Sequence, residues 1–254
     1  MKETYRLWED GTTNATITFY PAPSQTEKST VIIFPGGGYA YCTMKEEGED
    51  YARLFNELGI SAFVVDYSVA PNAFPKPLQD ARQAVRFVRK NAEKFKINAD
   101  MVAVMGSSAG GHLTALLCTY CGKIDGEREG DTDYLPNAQI LCYPVISCDE
   151  NISHRGSYQN LLGELYGDRE TYSPELIADE KTPKAFIWHT AEDGCVNVIN
   201  SYRYAEKLRR LSVPCEMHIF PYGGHGMGLA KQNLHVAQWA ELLKRWLSLI
   251  GWTN

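Results

Sequence analysis

The run Gly106-Ser107-Ser108-Ala109-Gly110-Gly111 sets a serine among glycines, after the apolar stretch Met101–Met105 and before the helix-patterned stretch His112–Leu117. A serine at a sharp strand-to-helix turn has its hydroxyl pushed outward. The chain makes that turn only where nearby residues are small and the serine accepts a strained backbone. The chemistry open to such a hydroxyl is attack on a carbonyl carbon, provided a base removes its proton and an acid orients the base. A bare G-x-S-x-G carries little weight. The strand before Ser108 and the helix after it separate it from a glycine-rich turn with no chemistry.

In a sheet enzyme the partner groups belong on loops after later strands, in the order serine, carboxylate, histidine. The apolar run Ala185–Trp188 is followed by Ala191-Glu192-Asp193-Gly194, and the run Cys215–Phe220 by Tyr222-Gly223-Gly224-His225-Gly226. Asp193, in a tight Asp-Gly turn, presents a short carboxylate and is the expected acid; Glu192 is expected to be solvated. His225, flanked by glycines at a strand's C-terminal end, is the expected base. Of the six histidines, His112 lies on the helix that begins at the serine and cannot readily turn back. His218 and His235 read as structural. His189, at a strand end near Asp193, is a candidate to line the site, but its neighbours Trp188 and Thr190 suggest packing, and His154 has no placed role.

The third requirement is a set of donors for the oxyanion. Pro35-Gly36-Gly37-Gly38-Tyr39 follows the apolar run Val31–Phe34, and glycine backbone can approach a substrate oxygen because no Cβ intervenes. The N–H of Ala109, directly after the nucleophile, is the expected second source. Each donor of this kind stabilises a transition state by ~2.7–4 kcal/mol.

These groups must be held by elements that the rest of the chain supplies. Six apolar runs, continuous rather than alternating, read as strands covered on both faces of a parallel sheet. They are Val31–Phe34, Ser61–Tyr67, Met101–Met105, Ile140–Tyr143, Ala185–Trp188 and Cys215–Phe220. Between them, helical stripes show at Leu78, Ala81, Val85 and Val88, at Ala205, Leu208 and Leu211, and at Val236, Trp239, Leu243 and Trp246. Glu3–Trp8 and Ala15–Tyr20 predict an antiparallel edge pair turning at Asp10-Gly11. Alternating strands and helices over residues 1–254 mean one α/β domain. The polar segment 147–181, with short helices expected at Ser157–Leu165 and Pro174–Ala178, reads as a small lid.

Composition narrows the partners. The 254 residues are 44% hydrophobic and 22% charged, and 31 acidic against 25 basic residues leave a net charge of −6. No Lys/Arg run stands out, so neither nucleic acid nor an anionic membrane is an expected partner. Nothing approaches a span of ~18 apolar residues. The opening Met1–Arg6 is polar and lacks the apolar core of a signal peptide, and the seven scattered cysteines are odd in number. A cytoplasmic location is expected on those grounds, with secretion as the alternative had a leader been removed. Homo-oligomerisation is left open.

Taken together, these residues resemble the α/β-hydrolase superfamily, and within it the esterases with an H-G-G-G oxyanion motif: hormone-sensitive-lipase-like enzymes and the acetylxylan and feruloyl esterases. The resemblance runs through Ile33–Tyr39, Glu46–Gly48, Val65–Pro71, Asp80–Arg89 and Val104–His112, in family order and over nearly the whole chain. It implies a three-layer αβα fold around a mostly parallel eight-stranded sheet, and Gly37, Gly38 and Ala109 as oxyanion donors. Two positions depart from the pattern. Pro35 replaces the histidine of H-G-G-G, which leaves the backbone donors in place, and Asn197 stands where many relatives carry proline.

The resulting expectation is a serine ester hydrolase working through an acyl-enzyme on Ser108, with His225, Asp193 and no metal or cofactor. The substrate class implied is a small or oligosaccharide ester, of the kind of acetylated xylo-oligosaccharides. An arylformamidase or a peptidase on the same fold is the alternative within enzymes, and a catalytically inactive binding protein the alternative outside them. Tyr39 and Glu47 are expected at the substrate pocket, although the acidic group Glu46, Glu47, Glu49 and Asp50 also reads as a solvated helix start. Asp80, Arg82 and Arg86 read as a surface ion-pair network, and Cys118 and Cys121, despite C-x-x-C spacing, as buried thiols.

Overall fold

The structure is a computed structural model that describes residues 2–23, 28–120, 122, 124 and 133–253. Its eight strands are β1 (Glu3–Arg6), β2 (Thr16–Tyr20), β3 (Thr30–Phe34), β4 (Ser61–Asp66), β5 (Val102–Ser107), β6 (Ala138–Cys142), β7 (Lys184–Thr190) and β8 (Cys215–Phe220). All six apolar runs are strands, and the N-terminal pair forms the antiparallel edge. The spatial order is β1-β2-β4-β3-β5-β6-β7-β8 in one sheet. Only the β1–β2 and β2–β4 pairs are antiparallel.

Continuous apolar strands are needed because both faces are covered. Val31 and Ile33 of β3 pack, with β4 and β5 partners, against α1 (Asp50–Glu57) and α8 (Trp239–Leu249). Ile32 and Phe34 point the other way, against α2 (Lys76–Lys90) and the helix that follows Ser108. The four predicted stripe residues of α2 and the stripe Val236, Trp239, Leu243 and Trp246 are all buried. Trp239 stacks on Trp188 of β7, centroids 5.1 Å apart. These tryptophans are core residues. No helix among the described residues is long and apolar enough to cross a membrane.

The one-turn helix α3 (Ala92–Phe95) precedes β5, and the 12-residue α4 (Ser108–Thr119) follows it. The chain leaves β3 toward β4 and returns to β5 on the other side, so the order in which strands are added reverses between the parallel neighbours β3 and β5. A crevice opens at the carboxyl ends of strands at such a reversal. The glycines after β3 and the serine after β5 both lie there.

Asp80 is a correction. It is buried rather than part of a surface network, and its carboxylate accepts from Trp8 Nε1 (2.7 Å), Thr13 Oγ1 (2.7 Å) and the Ser68 N–H (2.8 Å). It ties the N-terminal hairpin to the loop after β4. Arg82 is buried too, its guanidinium 4.0 Å from the Tyr134 ring centroid, while Arg86 pairs with Asp133. Cys118 is buried; Cys121 lies outside the described residues.

Segment 147–181 contains α5 (Arg155–Leu162), a 3-10 stretch Gly163–Tyr172 and α6 (Pro174–Ile177). Though polar overall, it sends Tyr158, Leu161, Leu162 and Tyr172 into the main core. Hydrogen bonds anchor it: Asn200 Oδ1 accepts the Ile146 and Ser147 N–H groups, and Tyr158 O–H donates to Ile146 O. In this structure the segment is packed against the main core and hydrogen-bonded beside it. The remaining helix, α7 (Ile199–Arg210), covers β6 and β7 with Tyr204 and Leu208.

Candidate active site

Ser108 stands at the first position of α4 with φ +53°, a left-handed backbone unusual for serine. The neighbouring glycines make the turn possible. A Cβ on Gly106 would lie 2.1 Å from Gly110 O, and one on Gly110 would lie 2.0 Å from Phe34 O. Strand, turn and helix are so closely packed that these two positions admit no side chain.

The loops after β7 and β8 bring the expected partners to Ser108. His225 Nε2 is 2.8 Å from Ser108 Oγ, and His225 Nδ1 is 2.7 Å from Asp193 Oδ2. Asp193 is buried, and its Oδ1 accepts the N–H groups of Cys195 and Val196, each at 2.9 Å. Burial works against its charge, but hydrogen bonds from His189, His225 and Val196 outweigh it and hold the carboxyl well below the usual carboxylate range. With a carboxylate on Nδ1, the imidazole carries its proton there and turns the Nε2 lone pair toward the serine. Glu192 is exposed, as expected.

His189 holds a place that its neighbours in sequence do not reveal. It is buried in β7, its Nε2 3.1 Å from Asp193 Oδ2 and 3.1 Å from Val196 O, its Nδ1 2.8 Å from Ser201 Oγ. Nε2–H thus donates to the acid and to a carbonyl, while Nδ1 accepts from Ser201. It does not line the crevice; it holds Asp193 from behind. The spacing of four residues from Asp193 was the only sequence sign of it.

After β3 the backbone turns through Gly37 (φ +131°) and Gly38 (φ +65°). A Cβ on Gly37 would lie 2.0 Å from Tyr41 O. Among the described residues the N–H groups of Gly37 and Gly38 donate to no partner. The Ala109 N–H, in the first turn of α4, has no partner earlier in its helix. The Gly37 carbonyl is occupied within its own loop by the Ala40 N–H, and the Gly38 carbonyl by Asn160 Nδ2 at 2.9 Å from α5. Segment 147–181 thereby holds the glycine loop. Pro35 leaves this loop intact, its carbonyl accepting from Tyr67 O–H at 2.7 Å. At the other departure, Asn197 Oδ1 accepts the Ile199 N–H and starts α7.

Both expected pocket residues need correcting. Tyr39 is 1% exposed, and its hydroxyl is 2.8 Å from His112 Nδ1. It supports the glycine loop from below and is not a pocket wall. Glu47 is 4% exposed, in a π-helical turn (Lys45–Glu49), with Oε2 accepting the Gly36 N–H at 2.7 Å. It is neither a solvated helix start nor a substrate contact. The rest of its acidic group does face solvent: Glu49 pairs with Arg53 and Asp50 with Lys231.

His112 closes the support below the loop, donating Nε2–H to Tyr172 O at 2.9 Å and accepting from Tyr39 at Nδ1. Burial pushes its pKa down from 6.5 to about 4. Between those values the unfolded chain binds the proton and the folded chain does not, so stability is lost as pH falls through that window, by ~3 kcal/mol at most. His112→Gln can keep both hydrogen bonds without titrating. Urea midpoints measured at pH 7 and pH 4.5 should therefore drop less for the variant than for the parent. Equal drops would remove His112 as the source.

His154 caps α5, its Nδ1 2.7 Å from Ser157 Oγ, and burial with the nearby His225 lowers its pKa. His218 sits on the edge strand beside Glu216 and His235 beside Phe220, both away from the hydrogen bonds that join Ser108, His225 and Asp193. Among the described residues no group of three or more His, Cys, Asp or Glu side chains is placed to hold a metal ion.

Comparison with known proteins gives this site a context. An acetylxylan esterase from Xylanibacter ruminicola is 33% identical over 234 residues, 90% of this chain and 47% of its own length. Endo-1,4-beta-xylanase B from Butyrivibrio fibrisolvens is 35% identical over 218 residues, 82% of this chain and 34% of its own length. The chain thus spans a third to a half of these curated relatives. The crystal structure of an acetyl ester-xyloside bifunctional hydrolase from Caldicellulosiruptor lactoaceticus superposes with a TM-score of 0.89 at 36% identity, covering 99% of this chain and 97% of that one. Residues 18–208 match the BD-FAE family model. On that match and on its sheet, the chain belongs to the BD-FAE family, in the esterase branch of the α/β-hydrolases.

Proposed function

We propose that the chain is a serine esterase that removes acetyl or other short acyl groups from carbohydrate esters of the acetylated xylo-oligosaccharide kind. The observation that carries the reading is the hydrogen-bonded run Ser108–His225–Asp193, at 2.8 and 2.7 Å, beside two glycine N–H groups with no partner among the described residues. Ser108 Oγ attacks the ester carbonyl as its proton passes to His225 Nε2. Asp193 stabilises the imidazolium. Gly37, Gly38 and Ala109 receive the negative charge on the carbonyl oxygen. His225 then protonates the departing alcohol, leaving an acyl-enzyme, and takes a proton from the water that releases the acid and regenerates Ser108.

The carbohydrate part rests on the company the chain keeps, an acetylxylan esterase and an acetyl ester-xyloside hydrolase, and on Tyr41. This residue is 63% exposed and its ring lies against Gly37, where a Cβ would come 3.0 Å from Cδ2. An exposed aromatic face beside the acyl site suits the flat C–H face of a pyranose.

Acetate release from acetylated xylo-oligosaccharides tests the reading. Turnover of p-nitrophenyl acetate without such release would sink the sugar substrate alone, and neither turnover nor labelling by a fluorophosphonate would sink the esterase. Tyr41→Ala should raise KM for the oligosaccharide about three- to tenfold, the worth of one aromatic contact, with kcat/KM for p-nitrophenyl acetate within about twofold. Equal effects on both substrates would remove Tyr41 as a sugar platform.

A further inference from the structure

Behind the glycine loop lies a buried polar cluster that the reaction above does not use. Glu47 Oε2 accepts the Gly36 N–H at 2.7 Å, and Glu47 Oε1 accepts the Tyr143 O–H at 2.6 Å. The Tyr143 oxygen in turn accepts the Gly228 N–H at 3.1 Å, three residues beyond His225. Tyr51 O–H lies 3.2 Å from the Tyr143 oxygen and 3.0 Å from Oγ of Ser107, the residue before the nucleophile. The glycine loop, the end of β5 just before Ser108 and the loop that carries His225 are therefore each attached to this cluster by a named bond.

The contacts to the reacting groups are close. A Cβ on Gly36 would lie 2.6 Å from Glu47 Oε2 and 3.1 Å from Ser108 Cβ, so only a glycine backbone separates the carboxylate from the nucleophile. The Tyr143 ring packs edge-on to the His225 imidazole, centroids 5.0 Å apart at 70°. Tyr143 itself is held at φ +37°, a conformation that a bulky residue keeps only where its surroundings impose it.

We infer that Glu47, acting through Gly36 and Tyr143, is a positioning residue for the acyl-transfer step: it sets the glycine loop and the His225 loop at one fixed separation and supplies negative charge behind the imidazole. A carboxylate buried with no cation paired to it among the described residues is costly to keep. The nearby group that becomes cationic during turnover is His225. The attraction between them is largest when the imidazolium forms, so Glu47 acts on the transition state more than on the bound ester. Burial raises the carboxyl's pKa, while Tyr143, Gly36 and His225 lower it and Glu46 raises it further. The other titratable groups facing this pair are Asp193 and His154 around His225 and Tyr51, Tyr67 and Cys142 around Glu47.

The inference rests on the esterase reading, so the wild-type enzyme is measured first with p-nitrophenyl acetate and a fluorophosphonate. If it neither turns over nor labels, the esterase reading falls and the positioning role with it. Given wild-type turnover, Glu47→Ala should lower kcat about 10- to 100-fold with KM within about twofold, since two donors at the site lose their acceptor. Glu47→Gln keeps an oxygen for Gly36 and an amide N–H for the Tyr143 oxygen but carries no charge. It should recover most of the lost kcat and move the acid limb of the kcat/KM profile to lower pH, because the imidazolium loses a stabilising charge. A Glu47→Ala enzyme with wild-type kcat, or one that loses only KM, overturns the proposal, as does a Gln variant whose acid limb stays in place. Should the alanine variant fail to fold, Tyr143→Phe deletes a single oxygen. A several-fold loss of kcat supports the device and an unchanged kcat overturns it.

Discussion

Ester hydrolysis by Ser108→Ala should be at least about a thousandfold slower than by the parent enzyme, with the fold unchanged. The size follows from the geometry at His225. Its Nε2 lies 2.8 Å from Ser108 Oγ, and once that oxygen is gone the imidazole has nothing to activate except water, which is not held against the carbonyl carbon. The glycine loop and Ala109 stay in place, so a residual rate above the uncatalysed reaction is expected from oxyanion stabilisation alone. The check is steady-state turnover of p-nitrophenyl acetate and acetate release from acetylated xylo-oligosaccharide, with thermal unfolding as the control for folding. Because Ser108 already sits in a left-handed conformation that a side chain tolerates poorly, alanine there should change stability little. A variant retaining a tenth of the parent activity would mean that another nucleophile does the work.

Asp193→Asn should cost about 10³- to 10⁴-fold in kcat, a loss comparable to that of the serine. The carboxylate receives donors on both oxygens. Oδ1 takes two backbone N–H groups, while Oδ2 takes His225 Nδ1 and His189 Nε2. Asparagine has one oxygen, and the two fixed backbone donors claim it. The amide NH₂ then faces two imidazoles, and His225 satisfies it only by accepting at Nδ1. That moves the His225 proton to Nε2, toward Ser108, where a lone pair is required. Activity should fall with little change in KM, and should recover partially as pH is raised and hydroxide substitutes for the base. Wild-type kcat in this variant would show that the imidazole is oriented by some other group.

The site was legible where its geometry is local. Ser108 could be identified because strand, sharp turn and helix occupy consecutive residues, and the glycines at 106 and 110 are demanded by contacts within that one turn and its neighbouring strand. Asp193 and His225 could be identified because the parallel sheet places the ends of β7 and β8 on the same edge as the end of β5. Glu47 and Asp80 were misread for a common reason. A carboxylate's default place is in water, and nothing near either residue in sequence says otherwise. Their donors come from far away: Tyr143 for Glu47, and Trp8, Thr13 and Ser68 for Asp80. Tyr39 went the same way, since a tyrosine after three glycines looks like a pocket wall until His112 is found beneath it.

By itself the sequence therefore determined the both-sides-covered sheet, the sharp turn at Ser108 and the strand-end loops that carry Asp193 and His225, since each depends on residue type and on periodicity within one element. Only the tertiary structure decided what supports them. His189 stands behind Asp193, Asn160 on the Gly38 carbonyl, and Glu47 between Gly36 and Tyr143. Hydrogen bonds between residues distant along the chain leave no period or spacing to read, and a buried polar group takes its meaning from whichever donors the packing brings within about 3 Å.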